Sequence, residues 1–405
     1  MRVLITTLGS PSHGRAQLPL ARALAAAGHE VLVATTSDLT AVFEHDDVRV
    51  TSPISDSIPV SHATNALKEL GDHPELDAEQ QSALRMRAMS QALSGPAARE
   101  LLDSLLPLAR DFVPDLILRD GMDMGSVVIA ELLGIPQLPT PSGTSNTIDP
   151  ADILPGLNLV REEYGLPAHE DPLSIVPQGR VDYVPPAFSF AKHLPASWAY
   201  RQTVTVDRRS VLPPWIAELP TDRPLLFAAI GTALPLVHKR ANDADAAGLP
   251  FWVPDPVDTL RTIIKAASRL DEYTVVVATS GLLADTDGLP PHVHITKQLP
   301  QPLLLESVDL FLTHGGFNSI RESLRTATPM AVLPQFGDQH ANARRVQELG
   351  IGLEIADPTP DGIATVCRDV LADSAIGANA RRARLAMLTL PEVESAVADL
   401  EKLAG

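Results

Sequence analysis

The chain has 405 residues, of which 45% are hydrophobic and 20% are charged, as is usual for a globular protein. This length exceeds what one hydrophobic core normally holds, so we expect two domains. The formal net charge of -18 argues against nucleic acid or an anionic membrane surface as a partner. An anionic ligand would therefore have to be held by local dipoles rather than by an overall positive field.

The cysteine content and the start of the chain bear on the cellular compartment. The one cysteine, Cys367, cannot form an internal disulfide, which fits a reducing cytoplasm. Residues 1–7 are typical of a first strand rather than of a signal peptide, because the apolar run is short. No stretch approaches the roughly 20 apolar residues that a membrane span needs. We expect a soluble, cytoplasmic protein.

The first half of the chain has the strand–loop–helix–strand pattern of a parallel sheet. A polar loop is expected at 9–15, before a helix that ends at Gly28, a common residue just after a helix. The expected strands are 3–7, 30–34, 48–51 and 114–120, and the expected helices are 17–27, 124–133 and several within 61–113.

The stretch from 139 to 220 is rich in proline and shows few convincing strands. We expect a substrate-facing insertion with short helices there, followed by an interdomain linker at 211–220. A second strand–helix series then begins. Its expected strands are 225–230, 274–278, 293–296, 310–312 and 330–333, and its expected helices are 257–270, one from Asn318, 339–349 and two or three at the end.

The segment 309–323 contains the most informative motif. A short apolar strand turns at His314-Gly315-Gly316 into a helix whose first residues are Asn318 and Ser319. Glycines between a strand and a helix let the backbone approach a ligand closely. The helix start adds N–H groups and about half a positive charge. The motif therefore predicts a phosphate site.

Residues beyond this turn extend the expected site towards a sugar. Glu322 lies one helical turn further on, within reach of a sugar hydroxyl beyond the phosphate. After the next apolar run, Asp338 and Gln339 offer a carboxylate and an amide side by side. This pair is suitable for hydrogen bonds to neighbouring hydroxyls.

Four candidate functional residues share one structural position. His13, Asp120, Thr232 and His314 each follow a predicted strand. In open parallel sheets, ligands bind outside the carboxyl ends of the strands. Two such domains joined by a linker would place the active site in the cleft between them.

The motif His314-Gly-Gly-Phe-Asn-Ser-Ile-Arg-Glu322, with Pro334, Gly337-Asp338-Gln339 and Asn342 downstream, resembles the nucleotide-sugar signature of family 1 glycosyltransferases. Bacterial enzymes that glycosylate macrolides, enediynes and other natural products are the most similar members. The resemblance covers nearly the whole chain, because Ser12-His13-Gly14 and Asp120 also match. It implies the α/β GT-B fold, with two Rossmann-like domains facing a cleft.

The resemblance also implies a division of labour along the chain. Residues 1–212 would form the acceptor domain with the catalytic base, residues 213–385 the donor domain, and residues 386–405 a helix that packs back on the first domain. The reaction would be an inverting, metal-independent transfer of a sugar or deoxysugar from a TDP or UDP donor to an acceptor hydroxyl, with no cofactor. His13 would be the base and Asp120 the carboxylate that orients it.

The implied donor contacts are Gly231, Thr232, His314, Gly315, Gly316, Asn318 and Ser319 at the diphosphate, Glu322 at the ribose, Asp338 and Gln339 at the sugar, and Gln298 and Leu299 near the base. One position departs from the family, which commonly has Trp where Gln298 stands. The choice between uracil and thymine therefore stays open.

The chemistry of inverting transfer explains why these residue types are needed. The acceptor oxygen must lose a proton as it attacks, and a histidine base typically contributes about 10²–10⁴-fold. A carboxylate on its other ring nitrogen fixes the tautomer and stabilises the imidazolium. Asp123 is the main rival of Asp120 for this role, and either could instead cap the following helix. Asp243-Ala-Asp245 has metal-binding spacing, but we interpret it as a solvated loop.

Two other functions stay open for this sequence. One is a nucleotide-sugar 2-epimerase of the same fold, although the helical stretch 61–113 is not needed for that reaction. The other is a non-catalytic paralogue that binds nucleotide-sugar as a partner or activator. A homodimer is compatible with the sequence, which does not define the oligomeric state.

Overall fold

The computed structural model describes residues 1–71, 73, 75–142, 144–194, 198–201, 210–243, 253–282 and 288–405. The chain divides into two compact units. The first comprises Met1–Gln202, Lys239–Pro250 and Pro391–Gly405, and the second comprises Thr203–His238 and Phe251–Leu390.

A five-stranded parallel sheet forms the centre of the first unit. Its strands are β1 (Arg2–Thr6), β2 (Glu30–Thr36), β3 (Arg49–Ile54), β4 (Leu116–Arg119) and β5 (Gln137–Pro139), in the order β3-β2-β1-β4-β5. Val3, Leu4 and Ile5 are fully buried. Such continuous apolar runs are typical of parallel strands whose two faces are both covered.

The helices of this unit are α1 (Pro11–Ala26), α2 (Ile58–Leu70), α3 (Ala78–Ser94), α4 (Pro96–Phe112), α5 (Gly125–Leu133) and α6 (Pro150–Glu163). The start of α1 corrects the predicted loop at 9–15. Ser10 is extended and Pro11 is the first helical residue, an arrangement favoured at helix starts. His13 therefore lies in the first turn of α1. The apolar pattern missed this turn because its residues are polar and only partly buried.

The proline-rich stretch contains more regular structure than expected. In place of short helices only, α6 has 14 residues. Two short strands, β6 (Val181–Asp182) and β7 (Trp198–Ala199), pair in parallel. The three-residue β5 was missed, because Gln137 and Pro139 give no apolar periodicity.

The second unit has a six-stranded parallel sheet in the order β10-β9-β8-β11-β12-β13. Its strands are β8 (Leu225–Ala229), β9 (Thr274–Ala278), β10 (Val293–Thr296), β11 (Leu310–Thr313), β12 (Met330–Val332) and β13 (Gly352–Glu354). Phe227 and Phe311 face each other across β8 and β11, with ring centroids 5.2 Å apart. Five strands were predicted, and the short β13 was missed.

The helices that follow in the chain are α7 (Ala233–Asp243), α8 (Pro256–Ala267), α9 (Gln301–Leu304), α10 (Phe317–Thr326), α11 (Gln339–Glu348), α12 (Pro360–Ala372) and α13 (Ser374–Leu388). The predicted linker at 211–220 belongs to the second unit, where Trp215, Ile216 and Leu219 pack on the core. The two parallel sheets with surrounding helices confirm the predicted α/β class.

The last helix, α14 (Ala396–Ala404), returns to the first unit, where it packs against α1. The Tyr200 hydroxyl donates to Asp399 Oδ2 at 2.9 Å. None of the helices in the described ranges combines the length and hydrophobicity that a membrane span requires.

Candidate active site

His13 and Asp120 meet in the first unit at the carboxyl ends of the paired strands β1 and β4. Nδ1 of His13 lies 2.9 Å from Oδ2 of Asp120. The Asp120 side chain is fully buried, whereas 15% of the His13 side chain is exposed. The backbone N–H groups of Leu8 and Met122 donate to the same carboxylate at 3.2 and 2.9 Å. The carboxylate is therefore fixed, and it orients an imidazole that solvent can reach.

Asp123 has a different set of partners. It accepts hydrogen bonds from the hydroxyls of Thr6 and Ser126, both at 2.6 Å, and from the Ser126 N–H at 2.9 Å. Asp123 thus caps the start of α5. Burial raises its pKa, and these hydrogen bonds oppose the rise. Of the two carboxylates that the sequence left as rivals, Asp120 contacts the histidine.

In the second unit, His314 follows β11 and lies between two glycines. A Cβ atom on Gly231 would be 2.3 Å from His314 Cε1, and one on Gly316 would be 2.3 Å from Nε2. Only glycine leaves room for the ring at both positions. Gly315 has φ +81, and a side chain there would also meet Val332. The glycines therefore serve the close packing of this turn around the imidazole.

Burial is the main influence on His314. It lowers the pKa of the imidazole to about 4, against a smaller opposing effect from the backbone of Ala229. The ring is therefore neutral near pH 7 and can donate one N–H without carrying a charge. Gly316, two residues further on, is the N-cap of α10, whose first turn contains no acidic residue. A helix start of this kind favours an anion.

Ser319 and Glu322 lie on α10 and share one partner that the sequence analysis missed. Nε2 of Gln301 donates to Glu322 Oε2 at 2.6 Å and to Ser319 Oγ at 3.1 Å. Gln301 thus fixes two predicted ligand contacts. No sequence signal could have indicated this, because Gln301 lies 18 and 21 residues away from them along the chain.

Asp338 and Gln339 precede and begin α11, close to the glycine turn. Asn342 Nδ2 donates to Asp338 Oδ2 at 2.8 Å and to the Gly315 carbonyl at 2.9 Å. The side-chain oxygen of Gln339 accepts from the N–H of Gln335 at 3.0 Å. The Gln339 oxygen therefore holds its own loop, and Asn342 connects Asp338 to the His314 turn.

The remaining predicted donor contacts also lie in the second unit. Thr232 directly follows Gly231, after β8, next to β11 in the sheet. Gln298 is exposed beyond the end of β10, and Leu299 packs partly against the core. No group of three or more His, Cys, Asp or Glu side chains suited to a metal ion occurs among the described residues. Asp243 ends α7, and the rest of the predicted Asp-x-Asp sequence lies outside the described residues.

Comparison with known proteins defines the class. Elloramycin glycosyltransferase ElmGT from Streptomyces olivaceus is 29% identical, over 100% of this chain and 98% of its own. Aclacinomycin-T 2-deoxy-L-fucose transferase from Streptomyces galilaeus is 25% identical, over 100% of this chain and 96% of its own.

Solved structures have the same fold. The spinosyn rhamnosyltransferase SpnG complexed with thymidine diphosphate has a TM-score of 0.74 at 23% identity, over 99% of this chain and 100% of that one. SpnG complexed with spinosyn aglycone has a TM-score of 0.73 at 24% identity, with the same coverage. With the sequence relatives, this likeness defines a glycosyltransferase of the GT-B fold.

Family models refine this assignment. Residues 22–230 match the N-terminal domain of the erythromycin biosynthesis protein CIII-like family, and residues 261–403 match its C-terminal domain. The chain therefore belongs to this family of natural-product glycosyltransferases, as the resemblance in the sequence predicted.

Proposed function

We propose that this protein transfers a sugar or deoxysugar from a TDP- or UDP-sugar to a hydroxyl of a natural-product acceptor, with inversion and without a metal ion. The donor class is supported by the helix start beside His314 and by the thymidine diphosphate complex of SpnG. The acceptor class is supported by the aclacinomycin-T and elloramycin relatives and by the aglycone complex of SpnG.

The hydrogen bond between His13 Nδ1 and Asp120 Oδ2 carries the proposed mechanism. With Nδ1 protonated, Nε2 of His13 is the basic nitrogen. It takes the proton of the acceptor hydroxyl as that oxygen bonds to the anomeric carbon, and the bond from this carbon to the diphosphate oxygen breaks. Asp120 stabilises the imidazolium that forms. Because the transfer is one displacement, the configuration inverts.

The second unit would stabilise the leaving diphosphate. Hydrogen-bond donors without a net charge would come from His314, from Thr232 and from the start of α10 with Asn318 and Ser319. A neutral donor set is reasonable for a chain with a net charge of -18, in which the overall field does not attract anions. Glu322 would bind the ribose and Asp338 with Gln339 the sugar.

The proposal is tested by incubating the purified protein with TDP- and UDP-sugars and pooled aglycones, followed by mass spectrometry. We expect a glycosylated product, whose anomeric configuration NMR then assigns. A retained configuration would contradict the single displacement. Conversion of the donor alone into an epimer would support the epimerase, and no reaction with any pair would support the non-catalytic paralogue. We expect full activity after EDTA treatment. A loss of activity that is reversed by adding a divalent ion would contradict metal independence.

The role of His13 is tested by H13A, with H62Q as the matched control. His62 is a surface histidine that pairs with Glu100 at 2.7 Å. We expect H13A to lower kcat by about 10²–10⁴-fold and to leave the Kd for the donor unchanged. H62Q should keep the wild-type rate. An H13A variant with nearly full activity would rule out His13 as the base.

A further inference from the structure

Arg119, the last residue of β4, has its guanidinium buried directly behind the His13–Asp120 pair. Only 1% of the residue is exposed. Its recorded hydrogen bonds all go to carbonyl oxygens: Gln137 Oε1 at 2.7 Å, Ile175 at 2.9 Å, Asp123 at 3.3 Å and Asp120 at 3.4 Å. Burying a charge is costly unless opposite charges lie nearby. This arginine therefore requires an explanation beyond packing.

The compensating charges are those of Asp120 and Asp123, both fully buried. Burial lowers the pKa of Arg119 to about 10, while Asp123 and Asp120 act in the opposite direction. The guanidinium thus stays protonated near pH 7. The buried cluster then contains one cation and two carboxylates, next to a histidine that gains a proton during the proposed reaction.

We propose that Arg119 is a positioning residue for the His13–Asp120 pair. Its bonds to the carbonyls of Asp120 and Asp123 fix the turn that presents the Asp120 carboxylate. Its charge offsets those of the buried Asp120 and Asp123 side chains. This inference rests on the proposed function, since it concerns the same base, and it adds a residue outside the donor and acceptor contacts.

Within the described ranges, the charges that act on the Arg119 guanidinium are those of Asp123 and Asp120. His13 contacts the Asp120 carboxylate of this cluster. The side chains that face it from β1, β5 and α5 are uncharged, namely Thr6, Gln137 and Ser126. A change in charge at position 119 should therefore be felt mainly by the His13–Asp120 pair.

The test is an NMR titration of isotope-labelled His13, with its signal assigned by the H13Q variant. Replacing Arg119 with Met removes a positive charge, which favours the protonated form of the pair. We expect R119M to raise the apparent pKa of His13 by about one unit. The double variant R119M/D123N restores the net charge of the cluster and should return the pKa towards the wild-type value.

Two controls separate charge from structure. Q137M removes a hydrogen bond to the guanidinium without changing charge, and R119K keeps the charge without the planar fork. Both should lower the Tm and leave the pKa of His13 in place. The inference is overturned if R119M leaves the pKa unchanged, or if Q137M shifts it as far as R119M. If R119M does not fold, the R119K and D123N variants are used instead. A raised pKa of His13 in R119K, or a pKa of His13 that is not lowered in D123N, overturns the inference.

The titration needs no substrate, so its outcome is independent of the transfer assay. A folded protein that glycosylates nothing would refute the proposed function, whereas the pKa of His13 would still decide the role of Arg119. In an active protein, the acidic limb of the pH profile of kcat/KM should move upward in R119M and stay in place in R119K.

Discussion

Gly231 and His314 are in direct contact at the ends of the neighbouring strands β8 and β11. A Cβ atom at position 231 would lie 2.3 Å from Cε1 and 2.5 Å from Nε2 of the imidazole. Such distances require the ring to move. The position of His314, and with it the shape of the proposed diphosphate site, therefore depends on the absence of a side chain on a different strand end.

We expect G231A to weaken the binding of TDP at least about tenfold, because each tenfold change needs only about 1.4 kcal/mol. Gly288 provides the matched control: its φ of +73 nearly equals the +72 of Gly231, but a Cβ there meets nothing within 4 Å. G288A should show only the cost of backbone strain, roughly 1–2 kcal/mol, with an unchanged Kd. Calorimetry and thermal denaturation measure both effects. Equal Kd values for the two variants would contradict the steric argument.

Asp120 and Asp123 lie three positions apart but should respond differently to substitution. D120N leaves the shape intact and removes the carboxylate that faces His13 Nδ1, so we expect kcat to fall by about 10²–10⁴-fold. D123N can still accept the N–H of Ser126, so it should lower the Tm and retain most of the rate at pH 8. Steady-state kinetics on both variants distinguishes them. A similar loss of kcat in the two would mean that Asp120 has no special role.

His314 should make the stability of the second unit depend on pH. The unfolded chain binds a proton at this residue near pH 6.5, whereas the folded protein does so only at about 4. Stability is therefore lost as the pH falls from the unfolded value towards the folded one, by at most about 3 kcal/mol. Urea denaturation of the wild type and of H314Q from pH 7.5 to 4 measures the difference. Parallel curves for the two proteins would show that burial does not depress this pKa.

Asn342 should matter more for a nucleotide-sugar than for the nucleotide alone. Substitution by the similarly sized Leu leaves the Gly315 carbonyl without this partner and releases Asp338. We expect a loss of about 1–3 kcal/mol in the free energy of unfolding. Because Asp338 is proposed to bind the sugar, the Kd for a TDP-sugar should rise more than the Kd for TDP.

The companion variant N342D sharpens that test. It places a second carboxylate beside Asp338, so the loss of TDP-sugar binding should be larger at pH 8 and partly recovered at pH 5. Calorimetric titrations at the two pH values check this. Equal losses for TDP and TDP-sugar in N342L would show that Asp338 does not contact the sugar.

Much of the fold followed from local patterns in the sequence. The apolar runs that begin at Val3, Leu225 and Leu310 are strands. The helices that follow the first and third of these strands were predicted, whereas α7, which follows the second, was missed. The failures have local causes as well. The strands β5 and β13 have three residues each, too few for a periodic signal, and the first turn of α1 lacks apolar residues.

The sequence by itself determined the kind of site. The residue types of the glycine turn, the carboxylates and the two histidines, and their spacing along the chain, can be read directly from it. Tertiary structure decided which groups meet. Asp120 rather than Asp123 faces His13 because the pairing of β1 with β4 joins residues 107 positions apart. Strand pairing and helix packing likewise place Arg119 behind that pair, Gln301 beside Glu322 and Gly231 against His314. Local periodicity reflects each residue's neighbours along the chain, whereas these contacts depend on burial and register between distant segments.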